Sequence, residues 1–179
     1  MPSTLVATAG AADANSFVDL DEADVYCDDR LHATAWTSET DEDKKTRALF
    51  DATRKLSLLE YIGQRATTTQ RLPWPRRYAE RFPGEIIVPG DEDYYEVDEI
   101  PELLKEVTID LAVEILAAGN VDIFAVDNLA GVIRKKTDVL ETQWASPHSR
   151  PRGWQRYPRI LEKLAPLLKA TGGLDMVRC

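Results

Sequence analysis

Ile100-Pro101-Glu102-Leu103-Leu104-Lys105-Glu106-Val107-Thr108-Ile109-Asp110-Leu111-Ala112-Val113-Glu114-Ile115-Leu116 is the stretch that sets the architecture. Proline stands at an N-terminal position, where a helix needs no N–H. Leu103, Leu104, Val107, Leu111, Ile115 and Leu116 repeat at helical spacing, and Ile109, Ala112 and Val113 widen the apolar surface. A helix apolar over most of its circumference belongs at the centre of a fold. Gly119-Asn120 ends it.

Working outward toward the N-terminus, Thr40 or Asp41 opens another helix, with the acids Asp41, Glu42 and Asp43 near the positive end of the macrodipole. Leu49, Thr53, Leu56 and Leu59 form its stripe, widened by Phe50, Leu58 and Ile62, and Gly63 is the expected stop. Asp19 with Glu22 predicts a capping box for a short first helix. Its packing face is Ala23, Tyr26, Cys27, Arg30 and Leu31, and Trp36 caps that packing. Residues 1–16 read as an extended arm, 17–144 as a helical core with loops and a strand, and 145–179 as a linker and C-terminal helix.

Toward the C-terminus, 85–89 reads as a short strand and Val132–Trp144 as extended chain. A last helix begins near Pro158, with Ile160, Leu161, Leu164, Leu167 and Leu168 as its stripe and Pro166 inside it. The expectation is a mainly α domain, a bundle of about four helices with a minor β element and extended arms.

Gln70-Arg71-Leu72-Pro73-Trp74-Pro75-Arg76-Arg77-Tyr78 lies between these helices. Two prolines exclude helix and sheet interior, so the segment is a stiff loop that carries an indole to one place. Arg71, Arg76, Arg77 and Arg81 surround the indole in a chain of net charge -9. Trp74 either plugs an apolar notch or stacks on a nucleic-acid base, together with Tyr78, Trp154 and Tyr157. Large aromatics are usually well buried, which favours the plug.

Charge is segregated by sign. Asp91, Glu92, Asp93, Glu96, Asp98, Glu99 and Glu102 make one acidic block, and Asp19, Asp21, Glu22, Asp24, Asp28 and Asp29 a second. The basic counterparts are the Arg71–Arg81 loop and Arg150, Arg152, Arg156 and Arg159. Such runs are either solvated loops or the two halves of a head-to-tail contact between copies, a type of contact that closes into rings. A pI of about 4.8 argues against a general nucleic-acid binder, because affinity for DNA comes mostly from phosphate neutralisation.

The chain of 179 residues has two cysteines, Cys27 and Cys179, and two histidines far apart. They form no disulfide framework and no zinc spacing, so a reducing compartment is expected. There is no basic start of a secretory signal and no apolar run near the ~20 residues that span a bilayer. No phosphate-binding glycine loop, nucleophile elbow, metal-binding histidine pair or calcium loop is present. No catalytic activity, cofactor or metal is expected.

Read in order, these segments form a pattern. Ala14-Asn15-Ser16-Phe17-Val18-Asp19, Ala52-Thr53-Arg54-Lys55-Leu56, Leu72-Pro73-Trp74-Pro75-Arg76, Val132-Ile133-Arg134-Lys135-Lys136 and Tyr157-Pro158-Arg159-Ile160-Leu161 resemble a family of tailed-phage proteins labelled DnaT-like single-stranded-DNA-binding. That family sits close to the head-to-tail connector (adaptor) proteins of long-tailed phages. The connector relationship implies a structural virion protein at the neck, made in the host cytoplasm. It implies a homo-oligomeric ring, usually of twelve copies, that binds the portal protein and the next neck or tail component. DNA would pass through its lumen without sequence-specific contact. The label itself implies a replication protein that binds single strands. The interface candidates are Arg71, Trp74, Arg76, Arg77, Asp91, Glu92, Asp93, Arg152, Trp154, Ile160, Leu161, Leu164 and Leu168. The C-terminal stripe is expected at the portal, with completion of the chain's own bundle as the other reading.

Overall fold

The computed structural model describes residues 4–81, 94–119, 154 and 157–169, and the strand backbones at 132–136 and 141–144. The elements are α1 (Leu20–Asp28), α2 (Thr34–Thr37), α3 (Glu42–Leu56), β1 (Gln64–Arg65), β2 (Arg76–Arg77), α4 (Glu102–Ala118), β3 (Val132–Lys136), β4 (Glu141–Trp144) and α5 (Pro158–Leu164). A 3-10 turn over Ala165–Leu167 follows α5. The fold is mainly α with minor β.

The helix starts follow from the caps. Asp19 Oδ1 accepts the Glu22 N–H at 2.8 Å, and the Glu22 carboxylate reaches back to the Asp19 N–H. Asp41 Oδ1 accepts from the Asp43 and Lys44 N–H groups. α4 begins directly after Pro101 and ends at Gly119, whose φ is 64°. α3 and α5 both pack on α4. Leu104, Val107, Leu111 and Ala112 of α4 meet Leu49, Ala52 and Leu56 of α3 and Leu164 of α5, each wholly buried. A fully buried leucine contributes about 1.5–3 kcal/mol, which explains how a chain of this size holds a core.

Several expectations change. α3 stops at Leu56, seven residues before Gly63, and Leu58 is 83% exposed instead of widening the stripe. The chain turns there so that Tyr61 can pair with Leu168: Ile62 N–H donates to Leu167 O and Lys169 N–H to Glu60 O. Gly63 (φ 70°) serves a close approach, since a Cβ on it would lie 2.5 Å from Arg77 O. α1 ends at Asp28, with Asp28 and Asp29 at the unfavourable negative end of its dipole. Leu31 is therefore outside the helix and 92% exposed.

The N-terminal arm is tied down. Asn15 Oδ1 accepts from Val6 N–H and its Nδ2 donates to Thr4 O, both at 2.8 Å, while Leu5, Ala9 and Ala11 pack on the core. Segment 132–144 divides into two antiparallel strands, with Val132 opposite Trp144 and Lys136 opposite Glu141. The expected strand at 85–89 and the candidates Asp91, Glu92, Asp93 and Arg152 lie outside the described residues.

Candidate functional site

The Pro-Trp-Pro loop has a donor problem. Prolines bring carbonyls without N–H groups, and buried carbonyls need partners. Gln70, 3% exposed, supplies two: its Nε2 donates to Leu72 O at 2.9 Å and Pro75 O at 3.0 Å. Its Oε1 accepts from Thr67 N–H at 2.8 Å, which fixes the amide. Ala66 N–H also donates to Pro75 O.

Arg76 supplies the rest. Its guanidinium donates to the carbonyls of Tyr61, Ile62, Gly63 and Pro73. This is a planar fork fastening two segments, a task suited to arginine. Burial holds its pKa below the ordinary value, and the Arg65 charge pushes the same way. β1 and β2 pair beside it, Gln64 with Arg77 and Arg65 with Arg76, in a region that the sequence reads as loop.

The indole of Trp74 is 1% exposed. Tyr61 meets it edge-on at 6.0 Å and Tyr95 at 5.6 Å, with interplanar angles of 80° and 90°. Tyr61 O–H donates to Leu56 O, and burial pushes its phenol pKa up. The Trp74 N–H has no acceptor among the described residues. The peptide bond from Trp74 to Pro75 is cis.

The cationic collar therefore divides. Arg76 and Arg81 turn inward. Arg81 lies 4.8 Å above the Tyr95 ring and holds Glu99 through two bonds, of 3.1 and 2.7 Å. A basic loop and an acidic loop meet here, but within one chain. Arg71 and Arg77 remain exposed, and so does Tyr78, which is 71% exposed with φ 57°.

The C-terminal stripe requires a correction. Ile160, Leu164 and Leu167 are buried in the chain's own core, and Leu161 and Leu168 are half-buried. Trp154 and Tyr157 are half-buried and pack against the same core. Ile160 and Leu164 are thus no free recognition face, and Pro166 sits in the 3-10 turn. The reason is a polar latch that the sequence reading missed. Lys163 Nζ lies 2.7 Å from Glu106, 2.9 Å from Asp110 and 3.3 Å from the Tyr26 hydroxyl, which itself donates to Asp110. Burial alone would lower the Lys163 pKa, but the hydrogen bonds to Glu106 and Asp110 outweigh it and raise the pKa. Burial, then the Asp110 charge, pushes Tyr26 up to about 12. Arg30 lies 3.8 Å above the Tyr26 ring.

Among the described residues, no group of three or more His, Cys, Asp or Glu could hold a metal ion, and no helix is long and apolar enough to cross a membrane. Cys27 is buried, and burial pushes its thiol up to about 11. Such a thiol is a poor nucleophile at neutral pH.

What this arrangement defines is a small, mainly helical protein in which a Pro-Trp-Pro loop is an internal staple. The chain belongs to the family described as "Putative DnaT-like ssDNA binding protein", whose model matches residues 4–179. Comparison with curated proteins finds no match, and comparison with solved structures finds none either.

Proposed function

We propose that this chain is a structural subunit of a tailed-phage neck, a head-to-tail adaptor that assembles with its own copies beneath the portal and lets DNA pass. The observation that carries this reading is the fate of the aromatic loop together with the net charge. Trp74 is committed to the core, and a net charge of -9 disfavours general binding to phosphate. A lumen of that character would guide a duplex without holding it. The exposed acids of α1 and the exposed cations near the end of α3 suit contacts between copies.

The second reading, a protein that binds single-stranded DNA, has a specific observation in its favour. The family description names that activity, and it favours this reading more directly than it does the adaptor. With Trp74 buried, stacking would fall to Tyr78, and phosphate contact to Arg65 and Arg77 along the β1–β2 edge. Stacking on an exposed aromatic with cationic neighbours is the right chemistry for it.

The test measures the size of the purified full chain, alone and with portal protein, and its affinity for a labelled oligothymidylate across salt. Rings alone or on the portal, without salt-sensitive affinity, are the expected result. A monomer that binds the oligonucleotide with a steep salt dependence, lost in Tyr78→Ala, decides for the second reading.

A further inference from the structure

A groove of about 420 Å³ opens beside the C-terminal end of α3. Phe50, Leu58 and Leu72 give it apolar walls, and Arg54, Lys55 and Arg71 surround them; among the described residues no carboxylate lines it. Leu58 is 83% exposed, an unusual position for a leucine between cations. Thr53 also lines the groove; it is 1% exposed, and its buried hydroxyl has no partner among the described residues. Arg54 reaches Asp51 at 3.5 Å, with both side chains largely in water, a pair of little energetic weight.

The opposite pattern stands on α1. Val25 is 66% exposed. Asp21 precedes it by four residues, and Asp28 and Asp29 follow it by three and four, the spacings that share a helix face. None of these three acids makes an ion pair among the described residues. Leu31, 92% exposed, lies just beyond. The neighbouring Arg30 does not neutralise the patch; it folds back over Tyr26 and toward Glu106.

The two patches are held apart in one chain. Lys45 of α3 touches Asp24 of α1 at 2.8 Å, and Arg54 lies nine residues further along α3, about 13 Å at the helical rise. We infer that they meet between copies: the Val25 face of one subunit, with Asp21, Asp28 and Asp29, seats in the Leu58 groove of the next, against Arg54, Lys55 and Arg71. Each copy then offers one groove and one face, so the contact is head-to-tail and propagates, into a ring if its rotation closes. Charge complementarity selects the partner, and the apolar pair at the centre gives the contact its dry core. The inference rests on the self-association in the first reading above and names its surface.

The experiment uses two full-length variants, Asp28→Lys/Asp29→Lys and Arg54→Glu/Arg71→Glu, followed by analytical ultracentrifugation at low and high salt. Wild type is expected to self-associate, and less so at high salt. Each variant alone should weaken association at least about tenfold, since like charges then face each other. An equimolar mixture of the two variants should restore it, because each groove again finds a face of opposite sign. Restoration also proves that both variants fold. If both variants associate as well as wild type, this contact is wrong and the ring reading survives it. If wild type stays monomeric at every concentration and salt, both fall. If Arg54→Glu/Arg71→Glu lowers thermal stability and leaves association unchanged, the groove holds an acidic segment of its own chain and the inference is overturned.

Discussion

Replacement of Trp74 by alanine tests the central structural claim. The indole is 1% exposed and flanked edge-on by Tyr61 and Tyr95. Emptying such a site in a core costs about 3–5 kcal/mol. Edge-to-face aromatic pairs add about 0.5–1.5 kcal/mol beyond burial, so the upper part of that range is expected. Domains are stable by only about 5–15 kcal/mol, so the loss is a large share of the total. Trp74→Phe is the informative companion. It keeps an aromatic ring against both tyrosines and removes an indole N–H that has no acceptor among the described residues. Its cost should be clearly smaller than that of the alanine variant, because it leaves a smaller cavity. Urea unfolding followed by far-ultraviolet circular dichroism reads both, with the m-value unchanged if only the native state has lost stability. A loss under about 1 kcal/mol for the alanine variant would refute the staple. So would normal stability with lost affinity for single-stranded DNA.

Three further outcomes follow from the same geometry. Gly63→Ala places a Cβ 2.5 Å from Arg77 O and 2.9 Å from Ala79 N at φ 70°, so the melting temperature should fall by several degrees; an unchanged value means the hairpin yields freely. Arg76→Lys keeps the charge but cannot reach four carbonyls in one plane, so unfolding should need about 2 kcal/mol less, whereas a simple phosphate contact would tolerate the change. Alkali should unlatch α5. Tyr26 is raised from 10.0 to about 12 and Lys163 is raised above 10.5, so both keep their protons longer in the folded chain; their stabilisation is complete below pH 10 and lost as pH rises beyond it. Urea midpoints at pH 8, 10 and 11 should fall less steeply for Tyr26→Phe than for wild type, and identical slopes would exclude Tyr26 as a source.

The helices were legible where a local rule governs them. Asp19 with Glu22 announces a start because the partner groups lie within one turn, Thr40 or Asp41 marks one to within a residue, and Pro101 marks one because a first-turn residue needs no N–H. The end of α3 was not, because the competing interaction is remote: Tyr61 leaves the helical path to pair with Leu168, more than a hundred residues on. Gly63 fits both a helix stop and a tight approach under Arg77, and sequence alone offers no way to choose. The loop was half legible. Pro-Trp-Pro demanded a stiff turn and a buried ring, but the nearby arginines read as one cationic collar. Carbonyl supply explains the division: Arg76 faces the carbonyls of Tyr61, Ile62 and Gly63, where the chain has left α3, together with that of Pro73, while Arg77, one residue on, is exposed.

The C-terminal stripe had two readings, a partner or the chain's own bundle, and Ile160, Leu164 and Leu167 take the second. Apolar periodicity states that a face avoids water; it does not state what covers it. The deciding signal lay in another helix. Glu106 and Asp110 stand four apart on α4, two like charges on one face of a largely apolar helix. Acids so placed are costly without a cation, since partly buried charge needs a partner. Arg30 reaches only one of them, at 4.0 Å. Lys163, set among Leu161 and Leu164, reaches both. A lysine beside an apolar stripe, opposite an unsatisfied pair of acids, fixes the orientation of the whole segment, and it fixes it inward. Among the described residues, the contacts proposed above between copies therefore fall to the exposed side chains of α1, of the end of α3 and of the β1–β2 edge.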